Sequence, residues 1–307
     1  MATHTELFVE SGGLRLWTER FDSPGDPAVL LVMGTAAPAP GWPEDLVAAL
    51  VDGGLQAVRY DHRDTGRSDH VDFAATPYSL AGLAADAEAV LDGHGLAAAH
   101  VVGASLGGAI GQWLAVHRPQ RVLTLTAIMT GPMGHSPGPA WARALAGQAP
   151  DPSDLPPPSP RFLAHLTHRA TLPQGTREEY VAANLETWRI LGGEALPFDE
   201  PAARRFVEAS YDLTADHSCA LNHDLAGRRL TDDRLAPLSA IQAPTLVLHG
   251  TEDPLRPLPH GRALAAEIPE SLFREIPGMG HSFFSPGIPR HIAALVLEHL
   301  GRHAPLS

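Results

Sequence analysis

A serine stands between two glycines in the segment Gly103-Ala104-Ser105-Leu106-Gly107. A predicted strand, His100 to Val102, precedes this segment, and a helical pattern follows it from Leu106 towards His117. Glycines two residues before and after a serine allow a strand to turn abruptly into a helix, with the serine at the strained apex. The N-terminus of that helix favours negative charge on a nearby oxygen. The pattern therefore predicts Ser105 as a nucleophile.

A serine nucleophile needs a general base and an acid that orients the base. Asp253 follows the apolar run Leu246-Val-Leu-His249 by four residues, and His281 follows the next apolar run by five. Parallel strands end at the same edge of a sheet, and the chain order Ser, Asp, His is the one expected there. We predict a catalytic triad of Ser105, Asp253 and His281, with Glu252 as the rival acid. Most of the other histidines are expected to be solvated.

Strands and helices alternate around these three residues. This alternation, with its short connections, implies a mostly parallel twisted sheet with helices on both faces, so the expected fold class is α/β. The predicted strands are Leu14 to Phe21, Ala28 to Met33, Gln56 to Tyr60, His100 to Val102, Val122 to Met129, Thr245 to His249 and Ser271 to Ile276. A helix after Ser79, which is expected to cap it, precedes the strand that leads to Ser105.

The alternation stops after Thr130. Six prolines among residues Pro150 to Pro160 exclude a helix there, and later stretches such as Arg177 to Leu191 have helical patterns. We therefore predict an α/β core made of residues 1–130 and 237–307, interrupted by a mainly helical cap at 131–236. Within that cap, the pairs Asp216-His217 and His223-Asp224 are expected to be solvated.

Several segments carry a resemblance to known proteins. They include Arg59-Tyr-Asp-His-Arg-Asp-Thr-Gly-Arg-Ser68, Trp188-Arg-Ile-Leu191 and Glu275-Ile-Pro-Gly-Met-Gly-His281. The chain resembles the α/β-hydrolase superfamily over nearly its whole length and, within it, the aclacinomycin methylesterase group. These esterases hydrolyse methyl esters of anthracycline polyketides. Leu106 stands where the group has methionine, and Thr35 to Pro40 differ from its loop; both sites border the pocket.

An oxyanion hole needs two N–H donors, of which Leu106, directly after the serine, is one. The loop at Gly34-Thr35 should supply the second, and the resemblance favours the Thr35 amide. The resemblance further implies a hydrophobic ester as substrate, and the methyl ester of a bulky aromatic or polyketide-like compound is expected. The residues predicted to bind it are Gly34, Met33, Met129, Trp141, Trp188 and Phe283.

Composition excludes several other classes of function. All 22 basic residues are arginine, so lysine Schiff bases and phosphate-loop lysines are absent. A formal net charge of −13 argues against nucleic-acid and anionic-membrane partners. Because Cys219 is the one cysteine, no intrachain disulfide can form. The sequence shows no pattern typical of a signal peptide or a membrane span, and a cytoplasmic location is expected.

No cofactor or metal is expected. Asp61-His-Arg-Asp64 contains metal-ligating residue types, but its counterpart in the superfamily is a structural turn with internal ion pairs. Cys219 is expected to be at least partly buried.

Other reactions share the same triad. A cofactor-free haloperoxidase or perhydrolase, a lactonase, an acyltransferase and a carbon–carbon bond hydrolase remain open alternatives. A non-catalytic ligand-binding protein of this fold would be of a different class; such proteins usually lack a triad residue, and this chain has all three. Dehalogenases and epoxide hydrolases normally have aspartate where Ser105 stands.

Overall fold

Eight strands in the described residues form one sheet in the order β1-β2-β4-β3-β5-β6-β7-β8. The structure is a computed structural model that describes residues 3–22, 27–133, 135, 138–171, 175–228 and 237–303. β1 pairs antiparallel with β2, and β2 with β4, while all the other pairs are parallel. The strands are β1 (Thr3–Ser11), β2 (Leu14–Asp22), β3 (Ala28–Val32), β4 (Gln56–Tyr60), β5 (Ala99–Ala104), β6 (Val122–Ile128), β7 (Thr245–Gly250) and β8 (Leu272–Ile276).

The central strands are buried along their whole length. Every residue of β3, β5 and β7 is buried, as their largely apolar sequences predict for strands covered on both faces.

The helices are α1 (Glu44–Asp52), α2 (Leu80–Gly93), α3 (Leu106–His117), α4 (Gly138–Leu145), α5 (Pro160–Arg169), α6 (Arg177–Leu191), α7 (Glu200–Leu213), α8 (Asn222–Arg228), α9 (Pro259–Glu267) and α10 (Ile288–His303).

Two apolar clusters cover the two faces of the sheet. One contains residues of α1 and α10, together with Val181, Leu185 and Phe206 from α6 and α7. The other contains residues of α2, α3 and α9. The predicted α/β class with helices on both faces is therefore confirmed. Ser79 occupies the N-cap of α2, as predicted, but its side chain makes no cap hydrogen bond.

Helices α4 to α8 lie between β6 and β7, where the cap is predicted. The end of that predicted segment, residues 229–236, lies outside the described residues. The proline-rich stretch contains no helix before Pro160, the first residue of α5. Ser159 is the N-cap of α5, and its side chain accepts a hydrogen bond from the Phe162 amide. None of the helices in the described ranges has the length and apolar content needed to cross a membrane.

The turn from β5 into α3 is confined by backbone on both sides. Ser105 has φ 53° and ψ −113°, a strained conformation for a residue with a side chain. A Cβ on Gly107 would lie 1.9 Å from the Val32 carbonyl oxygen, and one on Gly103 would lie 2.2 Å from the Gly107 carbonyl oxygen. Both glycines are therefore required for this turn because no side chain fits at either position.

We expect Gly107→Ala to lower the free energy of unfolding by about 1–3 kcal/mol, as overpacking does. The clash is with backbone, so it should outweigh the helix propensity of up to about 1 kcal/mol that alanine gains over glycine. Gly301→Ala in α10 is the matched control, because a Cβ there meets nothing within 4 Å. Urea unfolding of both variants measures the difference; equal stabilities would contradict this account of the turn.

Seven of the 16 histidines other than His281 are buried, so the expectation that most of them are solvated is wrong for these seven. Burial lowers the pKa of His62 to about 3 and, with a contribution from His299, that of His100 to about 4. Burial also lowers the pKa of His260 to about 4. These side chains stay neutral in the folded protein at pH values where the unfolded chain protonates them.

Stability should therefore fall as pH drops below about 6.5, the ordinary histidine pKa. Each such histidine contributes a loss of up to about 1.4 kcal/mol per pH unit until its folded pKa is reached. Asp61 acts in the opposite direction, because burial raises its pKa to about 6. Urea unfolding between pH 7 and 4.5 should show a smaller loss for His100→Asn than for the wild type. The exposed control His291→Asn should not change the slope; a wild-type stability independent of pH would contradict the prediction.

Candidate active site

Ser105 lies at the carboxyl edge of the sheet, between β5 and α3. Its amide donates a hydrogen bond of 2.9 Å to the Ile128 carbonyl, which extends the pairing of β5 with β6 by one residue. The loop after β3 lies against it, since a Cβ on Gly34 would be 3.3 Å from the Ser105 Cβ. Of the predicted pocket residues, Gly34 is thus the one that this contact places beside the serine.

Asp253 and His281 meet behind the same edge of the sheet. The His281 Nδ1 and the Asp253 Oδ2 are 2.7 Å apart, and both side chains are almost completely buried. Since an ionised carboxylate only accepts hydrogen bonds, Nδ1 carries a proton, and in the neutral imidazole Nε2 then has the free electron pair. Glu252 is exposed, so of the two candidate acids it is Asp253 that contacts the histidine.

The turn after β7 holds the Asp253 carboxylate in place. Its Oδ1 accepts hydrogen bonds from the amides of Leu255 and Arg256, at 2.9 and 2.7 Å. His249, at the end of β7, donates from Nε2 to the Arg256 carbonyl at 2.6 Å and lies 3.6 Å from the Asp253 Oδ2. Burial lowers the pKa of His249, which keeps this ring neutral. The sequence analysis did not single out His249 beyond its place in the strand.

The helices between β6 and β7 also contact the loop of the histidine. The His281 amide donates a 2.6 Å hydrogen bond to the Leu191 carbonyl at the end of α6. A Cβ on Gly280 would lie 2.2 Å from that same carbonyl oxygen, so glycine allows this close approach. The position of His281 therefore depends on α6 as well as on β8.

The two amides predicted to form the oxyanion hole are those of Thr35 and Leu106. In the described part of the chain, neither the Thr35 nor the Leu106 N–H donates to a protein acceptor. Leu106 is the first residue of α3, whose N-terminal amides carry partial positive charge. Thr35 lies in the exposed loop between Gly34 and Ala36, and Ala36 has a positive φ of 54°.

His223 of α8 contacts that loop. Its side chain is buried, so the expectation that the pair His223-Asp224 is solvated is wrong for the histidine. Nδ1 accepts from the Ala36 amide at 3.0 Å, and Nε2 donates to the Arg63 carbonyl at 2.8 Å. These partners are 187 and 160 residues away along the chain, so no local pattern could have identified them.

The turn at residues 61–64 has carboxylates that bind protein donors. Asp61 accepts from the amides of Ala39 and Arg67 at 2.7 and 2.9 Å. Asp64 accepts from the Tyr78 hydroxyl at 2.6 Å. Arg63 pairs with Asp86 of α2, so the expected ion pairs are not confined to the turn.

Among the described residues, one group of metal-ligating residue types occurs. It lies on β1 and β2, away from the predicted triad. His4, Glu6 and Glu19 have ligand atoms within 4.8 Å of one another. Glu19 already binds Arg59 at 2.6 Å and is hydrogen-bonded to His4. The Glu19 carboxylate therefore already has two protein partners, Arg59 and His4. Cys219 is buried, as expected.

The other predicted pocket residues take part in apolar packing. Met33 and Met129 are buried in the cluster that includes α1 and α10, and Phe283 packs on Trp42 with ring centroids 5.3 Å apart. Trp188 contacts the rings of Phe206 and Phe284. Trp141 packs against the apolar cluster of Phe162, Ile190 and Leu191. Their role in binding substrate stays a prediction.

A groove of about 440 Å³ lies on the inserted helices. It contains none of the predicted site residues; its lining residues are Ala144, Leu145, Pro157, Pro158, Ser159, Pro160, Leu163, Ala164 and Thr167.

Comparisons with known proteins bear on the fold and the enzyme class. The α/β-hydrolase fold model matches residues 27–287. The chain is 40% identical over 287 residues to the rhodomycin D methylesterase DnrP of Streptomyces peucetius, covering 92% of this chain and 94% of the relative. The rhodomycin D methylesterase DauP of Streptomyces sp. (strain C5) is 39% identical over the same shares of the two chains. A hydrolase of Pseudomonas aeruginosa PA01 superposes with a TM-score of 0.71 at 28% identity, over 96% of this chain and 98% of that one.

These matches confirm the predicted fold, the resemblance to anthracycline methylesterases and the enzyme class, an ester hydrolase. The chain belongs to the α/β-hydrolase family.

Proposed function

We propose that the protein is a serine carboxylic-ester hydrolase that works through an acyl-enzyme intermediate, with Ser105, His281 and Asp253 as its triad. The 2.7 Å hydrogen bond between Asp253 and His281 carries this proposal. It leaves the His281 Nε2 as a proton acceptor at the edge of the sheet where the strained turn presents Ser105. A turn that costs backbone energy at a nucleophilic residue is typical of this kind of site.

In the proposed mechanism, His281 Nε2 takes the Ser105 proton while Oγ attacks the ester carbonyl carbon. The carbonyl oxygen becomes an oxyanion, which accepts hydrogen bonds from the Leu106 and Thr35 amides. Asp253 keeps the imidazole in its orientation and stabilises the imidazolium. His281 then protonates the leaving alcohol, and the acyl group stays on Ser105. Water, activated by His281, attacks the acyl-enzyme and releases the acid by the reverse proton transfers. No cofactor enters these steps.

We further propose that the substrate is a methyl ester of a bulky aromatic or polyketide-like compound, so that methanol leaves. The names of the two relatives, rhodomycin D methylesterases, support this choice. The inserted helices supply the necessary apolar groups: Trp188 is half-buried over Phe206 and Phe284, and Trp141 is half-buried beside Phe162. We take residues 131–236 as the cap over the α/β core formed by 1–130 and 237–307.

We expect Ser105→Ala to lower the rate of ester hydrolysis by about 10⁴–10⁶, because the nucleophile is lost. Asp253→Asn should cost about 10⁴ in kcat, because an asparagine favours the wrong imidazole tautomer. Glu252→Gln is the matched control, since its side chain is exposed and should leave kcat unchanged. Initial rates on a p-nitrophenyl ester, with circular dichroism to verify folding, measure these effects. Activity of Ser105→Ala within tenfold of the wild type would exclude the proposed nucleophile.

We expect large aromatic methyl esters to be hydrolysed with a kcat/KM at least about tenfold above that of methyl acetate, which is about 1.4 kcal/mol of transition-state binding. The apolar groups of the cap bind the part of the substrate remote from the ester and so orient its carbonyl. The comparison uses methyl acetate, methyl benzoate and an anthracycline methyl ester. Trp188→Ala should reduce the difference between them, whereas Phe8→Ala, on the exposed face of β1, should not. Equal kcat/KM values for all three esters would show that the cap aromatics only pack.

A further inference from the structure

His223 connects the cap to the loop that carries the Thr35 amide. It lies on α8, its side chain is buried, and its two ring nitrogens bind different segments of the core. Nδ1 is 3.0 Å from the Ala36 amide nitrogen, and Nε2 is 2.8 Å from the Arg63 carbonyl oxygen. A ring with a hydrogen bond at each nitrogen has its orientation fixed.

These two partners define the tautomer of His223. A backbone N–H can only donate, so Nδ1 accepts and carries no proton; a carbonyl can only accept, so Nε2 carries the proton. The ring is therefore neutral. Burial lowers the pKa of His223, which agrees with this protonation state.

A second buried histidine holds the other end of the same loop. The His62 Nε2 donates to the Met33 carbonyl at 2.9 Å. The rings of His62 and His223 meet edge to face, with centroids 5.5 Å apart. The segment from Met33 to Ala36 is thus hydrogen-bonded at its first carbonyl and at its last amide, and Thr35 lies between these two points.

The backbone of this loop needs such a constraint. Ala36 has a φ of 54°, which is unfavourable for a residue with a Cβ and persists only where surrounding contacts impose it. Ala36 and Thr35 are also exposed, so water would take the place of a lost protein acceptor. Across this turn the Ala37 amide also donates to the Gly34 carbonyl at 3.3 Å. The bond of the Ala36 amide to His223 is a further contact, which ties the turn to α8.

We propose that His223 is a positioning residue for the oxyanion hole: by accepting the Ala36 N–H, it fixes the loop so that the Thr35 N–H points to the site beside Ser105. This inference rests on the proposed function, since it assumes that Thr35 binds the oxyanion. It also gives α8 of the cap a part in transition-state stabilisation as well as in covering the site.

Two substitutions separate the two hydrogen bonds of His223. In His223→Asn, the side-chain oxygen takes the place of Nδ1 and can still accept the Ala36 N–H. In His223→Gln, the terminal amide takes the place of Nε2 and can still donate to Arg63, but the acceptor for Ala36 is lost. His217→Gln is the matched control, because it makes the same change in the same segment and its ring stacks on Tyr211 away from the loop.

The experiment measures kcat and KM on a p-nitrophenyl ester, together with hydrogen exchange of the Ala36 amide. We expect His223→Gln to lower kcat by about 10²-fold with little change in KM, which is the effect of losing one oxyanion donor. The kcat of His223→Asn should stay within about fivefold of the wild-type value, because the asparagine oxygen still accepts the Ala36 N–H and most of the effect of the oxyanion donor is kept. The Ala36 amide should exchange faster in the Gln variant only. His217→Gln should match the wild type in all three measurements.

Equal kcat in the wild type and His223→Gln, or equal losses in the Gln and Asn variants, would overturn the proposal. If His223→Gln does not fold, His223→Asn decides: a 10²-fold loss of kcat with the Ala36 amide still protected contradicts positioning through Ala36. Hydrogen exchange does not depend on catalysis. A wild type that hydrolyses no ester but protects Ala36 through His223 would therefore refute the proposed function and leave the loop contact intact.

Discussion

The absence of space around the turn at Ser105 is the constraint on which the rest of the site depends. Gly107 passes so close to the Val32 carbonyl that a single added carbon would be 1.9 Å from it. The same contact that forces the turn also brings the end of β3 next to the start of α3. The serine, the amide of Leu106 and the end of β3 that leads into the loop with Thr35 are therefore brought together by one backbone-to-backbone contact.

The inserted helices take part in the site through hydrogen bonds with the backbone of the core loops. Leu191 accepts from the His281 amide at 2.6 Å, and the Ser159 amide donates to the Pro254 carbonyl at 2.7 Å, directly after the acid. The His223 ring reaches the loop after β3. Each of the three loops at the sheet edge is thus bound to a different part of the insertion. Backbone partners of this kind keep their geometry through many side-chain substitutions.

The sequence alone was sufficient where local pattern and backbone chemistry decide the outcome. The buried strands β3, β5 and β7 are continuous apolar runs, and the glycines flanking Ser105 indicate the turn before any coordinates are known. Position relative to the strand ends selected His281 from 17 histidines. Position after β7 also favoured Asp253 over its neighbour Glu252, and the contact of Asp253 with the His281 ring agrees with that prediction.

Burial of polar side chains was the least predictable feature. His223, His249 and His62 are buried because each has a backbone partner, in two cases far away along the chain, and hydropathy treats them as surface residues. β1 escaped prediction because an edge strand with one exposed face, Thr3–Ser11, has too few apolar residues to be distinguished from a polar N-terminal segment. In both cases the missing information is which distant part of the chain the residue or strand contacts in the folded protein.

The hydrogen bonds that run from the insertion to the three loops mean that the insertion is not an interchangeable module. An insertion transplanted from a relative would have to bring a carbonyl at the position of Leu191 and an acceptor at that of His223, or the recipient would lose these contacts with its own loops. Helix α4 makes none of these three bonds: Arg143 pairs with Asp154 within the insertion, and Trp141 packs against the apolar cluster that contains Phe162. Substitutions that reshape α4 and the groove beside it therefore leave all three hydrogen bonds to the core loops in place.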